Sequence, residues 1–131
     1  MSRPLRAARR DSRQRPRKRA LRFGRFAEAC CALLLRLKGF RILARDFRVP
    51  VGEIDIIARK GALVAFIEVK ARSTPAEEVL TMRQQKRIIR AAEAFLTTRP
   101  DLAGLDLRFD LMLLGGWRRP QHLMGAWRPE R

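Results

Sequence analysis

The sequence predicts an α/β fold in which two main helices flank a sheet of four to five strands. Three observations carry that expectation. Two segments repeat their apolar residues every three and four positions, as a helix with one buried face does. Several shorter segments are rich in Ile, Val, Leu and Phe, alternate or run apolar, and are bounded by Gly and Pro. Their order along the chain is helix, three strands, helix, then one or two strands. A chain of 131 residues with 47% hydrophobic content fits a single domain and can bury roughly two-thirds of the surface its unfolded form exposes.

The chain opens on a run that cannot build a core. Ser2 to Arg22 contains ten basic residues, a single acid (Asp11) and few large apolar side chains. Residues 1–21 read as a disordered basic arm and residues 22–131 as the α/β domain. The first helix is expected from Arg22 to Lys38, with Phe23, Phe26, Ala27, Cys30, Leu34 and Leu37 on one stripe and Gly39 as its left-handed terminator. Glu28 lies off the centre of that stripe and, taken alone, reads as a helix-surface acid. A strand follows over Phe40–Phe47, and Pro50 and Gly52 break the chain. The second strand spans Glu53–Arg59, with Lys60-Gly61 as a hairpin turn, and the third spans Leu63–Ala71. Ser73, Thr74 and Pro75 open a loop. The second helix covers Met82–Thr98, its apolar face formed by Gln85, Ile88, Ile89, Ala92, Phe95 and Leu96, until Pro100 stops it. A fourth strand fits Leu105–Leu114 and a last one Gln121–Trp127.

Charge narrows the partner. Thirty Lys and Arg stand against thirteen Asp and Glu, a formal net charge of +17. Such a field draws polyanions, of which nucleic acid is the commonest in a cell. The excess of Arg over Lys suits bidentate phosphate contacts. No segment pairs a clean apolar helix face with a basic face and aromatic anchors, and no apolar run is long enough to span a bilayer, so a membrane partner is not expected. Cys30 and Cys31 are adjacent, which disfavours a mutual disulfide, and a lone His122 leaves too few ligands for zinc. Two reduced thiols and no secretory signal point to the cytoplasm.

The residues that carry chemistry lie on the second and third strands. Glu68 and Lys70 are two apart, so a strand points both to one face. With a two-residue Lys60-Gly61 turn, Asp55 pairs with Phe66, shares that face and lies diagonal to Glu68; a one-residue shift would turn it away. An acid and an amine inside the apolar runs FIEVK and IDIIA need a reason. A divalent cation between two carboxylates removes their repulsion, and oxygen ligands suit Mg²⁺ or Mn²⁺. Such an ion polarises a phosphate and acidifies bound water, while Lys70 orients that water or stabilises developing charge. The alternative is a plain Glu–Lys pair on a solvated sheet face. The basic flank of the second helix (Arg83, Lys86, Arg87 and Arg90), together with Arg72, supplies candidate phosphate contacts.

The runs KGFRILARDFR (Lys38–Arg48), GEIDIIAR (Gly52–Arg59), FIEVKAR (Phe66–Arg72) and RFD (Arg108–Asp110) resemble the YraN-like family of small bacterial proteins, over Gly24 to Asp110. That family is similar to the restriction-endonuclease-like superfamily, whose site is an Asp followed by Asp/Glu-x-Lys. The resemblance implies a restriction-endonuclease-like core with a mixed sheet. It implies Asp55 and Glu68 as metal ligands, Lys70 as the catalytic lysine, and Glu28 as the acid that the superfamily places on its first helix, although Ala27 stands where the family usually has Gly. Gln85 and Lys86 match helix residues that the superfamily places near the substrate phosphate.

The expected function is therefore a Mg²⁺-dependent endonuclease acting on DNA, with branched or structured substrates and a homodimer suggested by analogy of fold alone. The alternative is a non-catalytic module that binds DNA or RNA on the same fold. Asp110 is expected to pair with a basic residue and support the sheet. His122, Trp117 and Trp127 are expected to be structural.

Overall fold

In a computed structural model the described residues are 24–116 and 118–129. The basic arm, Phe23 and Trp117 lie outside them. Helix α1 covers residues 24–37. Strands β1 (Arg41–Val49), β2 (Gly52–Lys60) and β3 (Leu63–Ala71) follow, then the short helix α2 (Ala76–Val79) and the long helix α3 (Met82–Thr97). A 3₁₀ turn at Pro100–Leu102 leads into β4 (Asp106–Gly115) and β5 (Arg118–Trp127). The chain thus forms the expected mixed sheet flanked by two main helices, with strand order β1-β2-β3-β4-β5. All neighbours are antiparallel except β3 and β4. A parallel pair needs a crossover, and α3 supplies it.

The two faces of the sheet carry separate cores because β3 sits in the middle and alternates. Val64 and Phe66 point to the α3 side, where they meet Ile54, Ile57, Ile88, Ala92 and Phe95. Ala65 and Ile67 point to the α1 side, against Cys31, Leu35, Ile56 and Met112. A strand buried on both faces reads as a continuous apolar run, which is why LVAFI carries no polar residue.

Several boundaries differ from expectation. The β2–β3 turn is Gly61-Ala62, with Lys60 opposite Leu63, because Gly61 takes the positive φ (59°) that the first turn position needs. Strand β1 runs on to Val49 and β5 begins at Arg118. The expected loop after Ser73 contains α2. The stripe of α1 is also rotated from the one expected. Ala27, Cys31, Ala32 and Leu35 are buried, whereas Phe26 and Leu37 are 66% and 77% exposed. Small residues let the helix approach the sheet closely, and the bulky ones turn outward.

At the far edge, Asp110 is fully buried and supports the sheet as expected. Arg108 donates to it twice (2.7 and 2.8 Å), His122 Nε2 lies 2.7 Å away, and the Gly125 N–H donates at 2.9 Å. Burial alone would raise its pKa; the donors from His122, Arg108 and Gly125 outweigh that and hold it at about 2. Lys38 Nζ lies 2.6 Å from His122 Nδ1, which places the imidazole proton on Nε2. His122 is structural, as expected. Cys30 and Cys31 are free thiols, and burial pushes Cys31 up to about 12, which leaves it inert. No described helix is long and apolar enough to cross a membrane.

Candidate active site at the β2–β3 fork

The site forms where β2 and β3 part. Their ladder is regular from Lys60↔Leu63 to Ile56↔Ile67 and then stops. Continued, it would set Asp55 opposite Glu68. Instead β2 twists sharply: Ile54 belongs to the α3-side core and Ile56 to the α1-side core, although they are two residues apart. Simple alternation forbids this, so Asp55 takes up the twist. Across on β1, Asp46 sits at φ 50°, the only non-glycine with positive φ among the described residues. The carboxylate of Asp55 occupies the opening between the strands, where its Oδ2 accepts the Val69 N–H at 2.8 Å. That bond replaces the one the ladder gives up.

The expectation that Asp55 shares a face with Glu68 and Lys70 is therefore corrected in detail. The register leads toward Glu68, not diagonal to it, and the ladder ends one residue short of that pair, so Asp55 turns into the gap between the strands. The two carboxyl groups are near enough to perturb each other's protonation. Lys70 Nζ stands 3.5 Å from Glu68 Oε1, with side chains only 20% and 15% exposed. Burial, and after it the neighbouring Asp55 charge, pushes Glu68 up to about 8 despite Lys70. Burial raises Asp55 too, against the Val69 N–H and the Glu68 carboxyl. One proton shared between two acids is the low-energy state of such a pair without a cation.

A hollow opens on each side of this pair. Toward α1, a space of about 150 Å³ lies between Glu28, Asp46, Arg48, Asp55 and Val69. Glu28 is 8% exposed, not a surface acid, and accepts from Arg45 Nε at 3.3 Å. Burial first, and then Asp55, raises its pKa. Toward α3, a space of about 80 Å³ lies between Glu53, Glu68, Lys70, Gln84, Arg87 and Ile88. The Gln84 amide lies 3.2 Å from both Lys70 Nζ and the Val79 carbonyl, and turning its oxygen to the ammonium and its nitrogen to the carbonyl satisfies both.

The other expected contacts divide. Arg87 lines the α3-side hollow, and Arg83, Lys86 and Arg90 are exposed along α3. Gln85 turns away and donates to the Leu80 carbonyl at 3.2 Å. Arg72 donates to the Arg119 carbonyl (2.6 Å) and to Gln121 Oε1 (3.2 Å), tying β3 to β5. Sequence reasoning missed Gln84, Glu53 and Asp46. For Gln84 the signal was available: Thr81 Oγ1 caps the helix by accepting the Gln84 N–H at 3.2 Å, and a cap at Thr81 fixes the helical phase.

The chain's relatives share this stretch. The model of the family described as "Uncharacterised protein family UPF0102" matches residues 27–114, from the α1 residue beside Glu28 to the end of β4. The chain belongs to this family. A UPF0102 protein of Bradyrhizobium sp. (strain ORS 278) is 56% identical over 110 residues, covering 82% of this chain and 78% of its own. A UPF0102 protein of Paramagnetospirillum magneticum is 50% identical over 115 residues, covering 83% and 89%. A third, from Parvibaculum lavamentivorans, is 50% identical over 112 residues, covering 84% of both. UPF0102 is the YraN-like family that the four sequence runs resemble. Its matched stretch holds Glu28, Asp55, Glu68, Lys70 and Gln84 and leaves out the basic arm.

Proposed function

We propose that this UPF0102 protein is a nucleic-acid-binding, metal-dependent endonuclease that hydrolyses DNA phosphodiester bonds, with branched or otherwise structured DNA as the preferred substrate. One observation carries the reading: Asp55, Glu68 and Lys70 meet in the β2–β3 fork, in a chain of net charge +17. Two half-buried carboxyls, each disfavoured in its charged form, are a donor set that a hard divalent cation satisfies better. Among the described residues no third acid, Cys or His joins them at ligand spacing, so water and phosphate oxygens would complete the shell, the usual situation of Mg²⁺. Asp55 and Glu68 would hold Mg²⁺ or Mn²⁺, which supplies Lewis-acid polarisation of the phosphate and acidifies bound water.

The chain's own groups do the rest. Lys70 brings an ammonium beside Glu68, placed to stabilise charge that builds on the attacked phosphate. Gln84 holds that ammonium from the helix side. Glu28, fixed by Arg45, faces the α1-side hollow as an acceptor for a water donor. Arg83, Lys86, Arg87 and Arg90 draw the backbone along α3. A homodimer would bring two such sites to two strands.

The test is a cleavage assay with Mg²⁺ or Mn²⁺ on linear, flapped, nicked and four-way DNA. Cleavage of at least one substrate, reduced about a thousandfold or more in Glu68→Ala and Lys70→Ala, supports the reading. No cleavage of any substrate by the parent chain overturns it. The second reading, a binding module for DNA or RNA on the same fold, draws on the net charge of +17 and on the fact that only two acids meet at the fork among the described residues. It expects salt-dependent binding that survives Glu68→Ala and no metal-dependent product.

A further inference from the structure

A second cleft lies at the opposite end of the sheet, and nothing in the catalytic reading uses it. Strands β3 and β4 are parallel, with Val64 opposite Leu107 and Lys70 opposite Leu113. Six residues of strand therefore separate the two ends, roughly 20 Å. The β4–β5 ladder is irregular here: Phe109 pairs with Trp127 but Leu111 with Leu123, so β5 carries two extra residues. Gly125, at φ 60°, makes that bulge and turns its N–H to Asp110. The bulge opens a cleft of about 630 Å³, walled by Leu107, Arg108, Phe109, Trp127, Arg128 and Pro129. That volume suits one small organic group.

The wall chemistry is specific. Trp127 packs on Phe109 with ring centroids 4.5 Å apart, which fixes the indole as a platform. Leu107 is 48% exposed, an apolar side wall left open to solvent. The Arg108 guanidinium donates its Nε and one Nη to Asp110, so a planar cation is held rigidly with its other Nη uncommitted among the described residues. Arg128 stands exposed at the lip. The indole Nε1–H is buried and finds no acceptor among the described residues, although buried donors are nearly always paired. Arg128 and Pro129, which belong to no helix or strand, form the lip of the cleft beside that indole. An aromatic platform, an apolar wall, a spare N–H donor and two guanidiniums fit a heteroaromatic ring that bears carbonyl or ring-nitrogen acceptors and is joined to an anion. In the field of this chain, that ligand is a nucleotide.

We propose that this cleft is a subsite for single-stranded nucleic acid, which holds one unstacked base against Trp127 and its phosphate on Arg128. The inference rests on the reading of the chain as a nucleic-acid binder and extends it: the substrate carries a single-stranded or opened segment about 20 Å from the bond at the fork.

The test uses the full chain carrying Trp117→Phe, so that Trp127 is the sole tryptophan, with chelator present to prevent cleavage. It is titrated with a single-stranded oligonucleotide and with an abasic strand of equal length and charge. The expected result is quenching of Trp127 fluorescence by the base-bearing strand alone, and roughly tenfold tighter binding of that strand, the size of one base–aromatic stack. Affinity, measured by anisotropy, should lose that difference in Trp127→Leu and in Leu107→Glu; the second substitutes a half-exposed wall and leaves the Trp127–Phe109 packing in place. Equal affinity of the parent for both strands overturns the subsite while leaving nucleic-acid binding intact, as does a tenfold difference that persists in Leu107→Glu. Binding of neither strand at low salt overturns both readings together.

Discussion

At the scale of single residues, the fork is a site under electrostatic tension. Asp55 and Glu68 are half-buried neighbours, and Glu68 keeps its proton to higher pH than an exposed glutamate would. Linkage turns this into a measurable sign. Glu68 has its folded pKa raised from 4.5 to about 8, so the folded state binds more protons than the unfolded state between those values. The stability this contributes is complete below the unfolded pKa and is lost as pH rises through about 8. Glu68→Gln keeps a hydrogen-bonding partner for Asp55 without the charge. Relative to the parent, this variant should gain on the order of 1 kcal/mol of stability above pH 8, measured by denaturant melts without metal. It should also lose the rise in Tm that Mg²⁺ gives the parent, a rise that grows with pH as the shared proton leaves. A parent that gains stability relative to Glu68→Gln as pH passes 8 without metal would show that the carboxyls do not share a proton.

At the scale of elements, the site depends on how closely α3 lies on β2. A Cβ built on Gly52 would fall 1.8 Å from the Arg87 carbonyl oxygen, so only glycine lets the helix backbone touch the strand. Gly52→Ala must lift α3, and with it Gln84 away from Lys70. We expect a loss of about 3 kcal/mol, read as a lower denaturant midpoint at unchanged slope. A melt that matches the parent's would mean the helix can shift freely. This contact also shows what the sequence could and could not disclose. The sheet, the crossover helix and the common face of Glu68 and Lys70 were legible because Val64, Phe66, Glu68 and Lys70 keep a strict period of two. The path of Asp55 was not, since it depends on a twist at Ile54–Ile56 and a left-handed Asp46 that no local pattern marks. The phase of α1 was misread because weight was given to Phe26 and Leu37, whereas close packing on the sheet selects Ala27, Cys31 and Ala32. Gln84 was missed by one residue for a related reason: an amphipathic stripe sets the helical phase only to within a residue, and the Thr81 cap settles it.

At the scale of the whole molecule, charge is divided between two parts of the sequence. About half of the net +17 stands in the first 22 residues, and the rest belongs to the domain that carries the fork. The family match begins at residue 27, after the arm; on the proposed reading, cleavage is expected to survive loss of the arm, whereas affinity for a polyanion should fall. Each phosphate neutralised by a basic residue contributes about 0.9 to the slope of log K against log salt. Deleting residues 2–20 removes nine basic side chains; if half of them engage, the slope falls by roughly 4. The expected result is a shallower salt dependence and much weaker binding at low salt, with the cleavage rate at saturating DNA and Mg²⁺ changed no more than about twofold, because uniform binding lowers KM without touching kcat. An unchanged slope would make the arm a bystander. A collapse of the saturated rate would place the arm in the catalytic step as a further phosphate clamp.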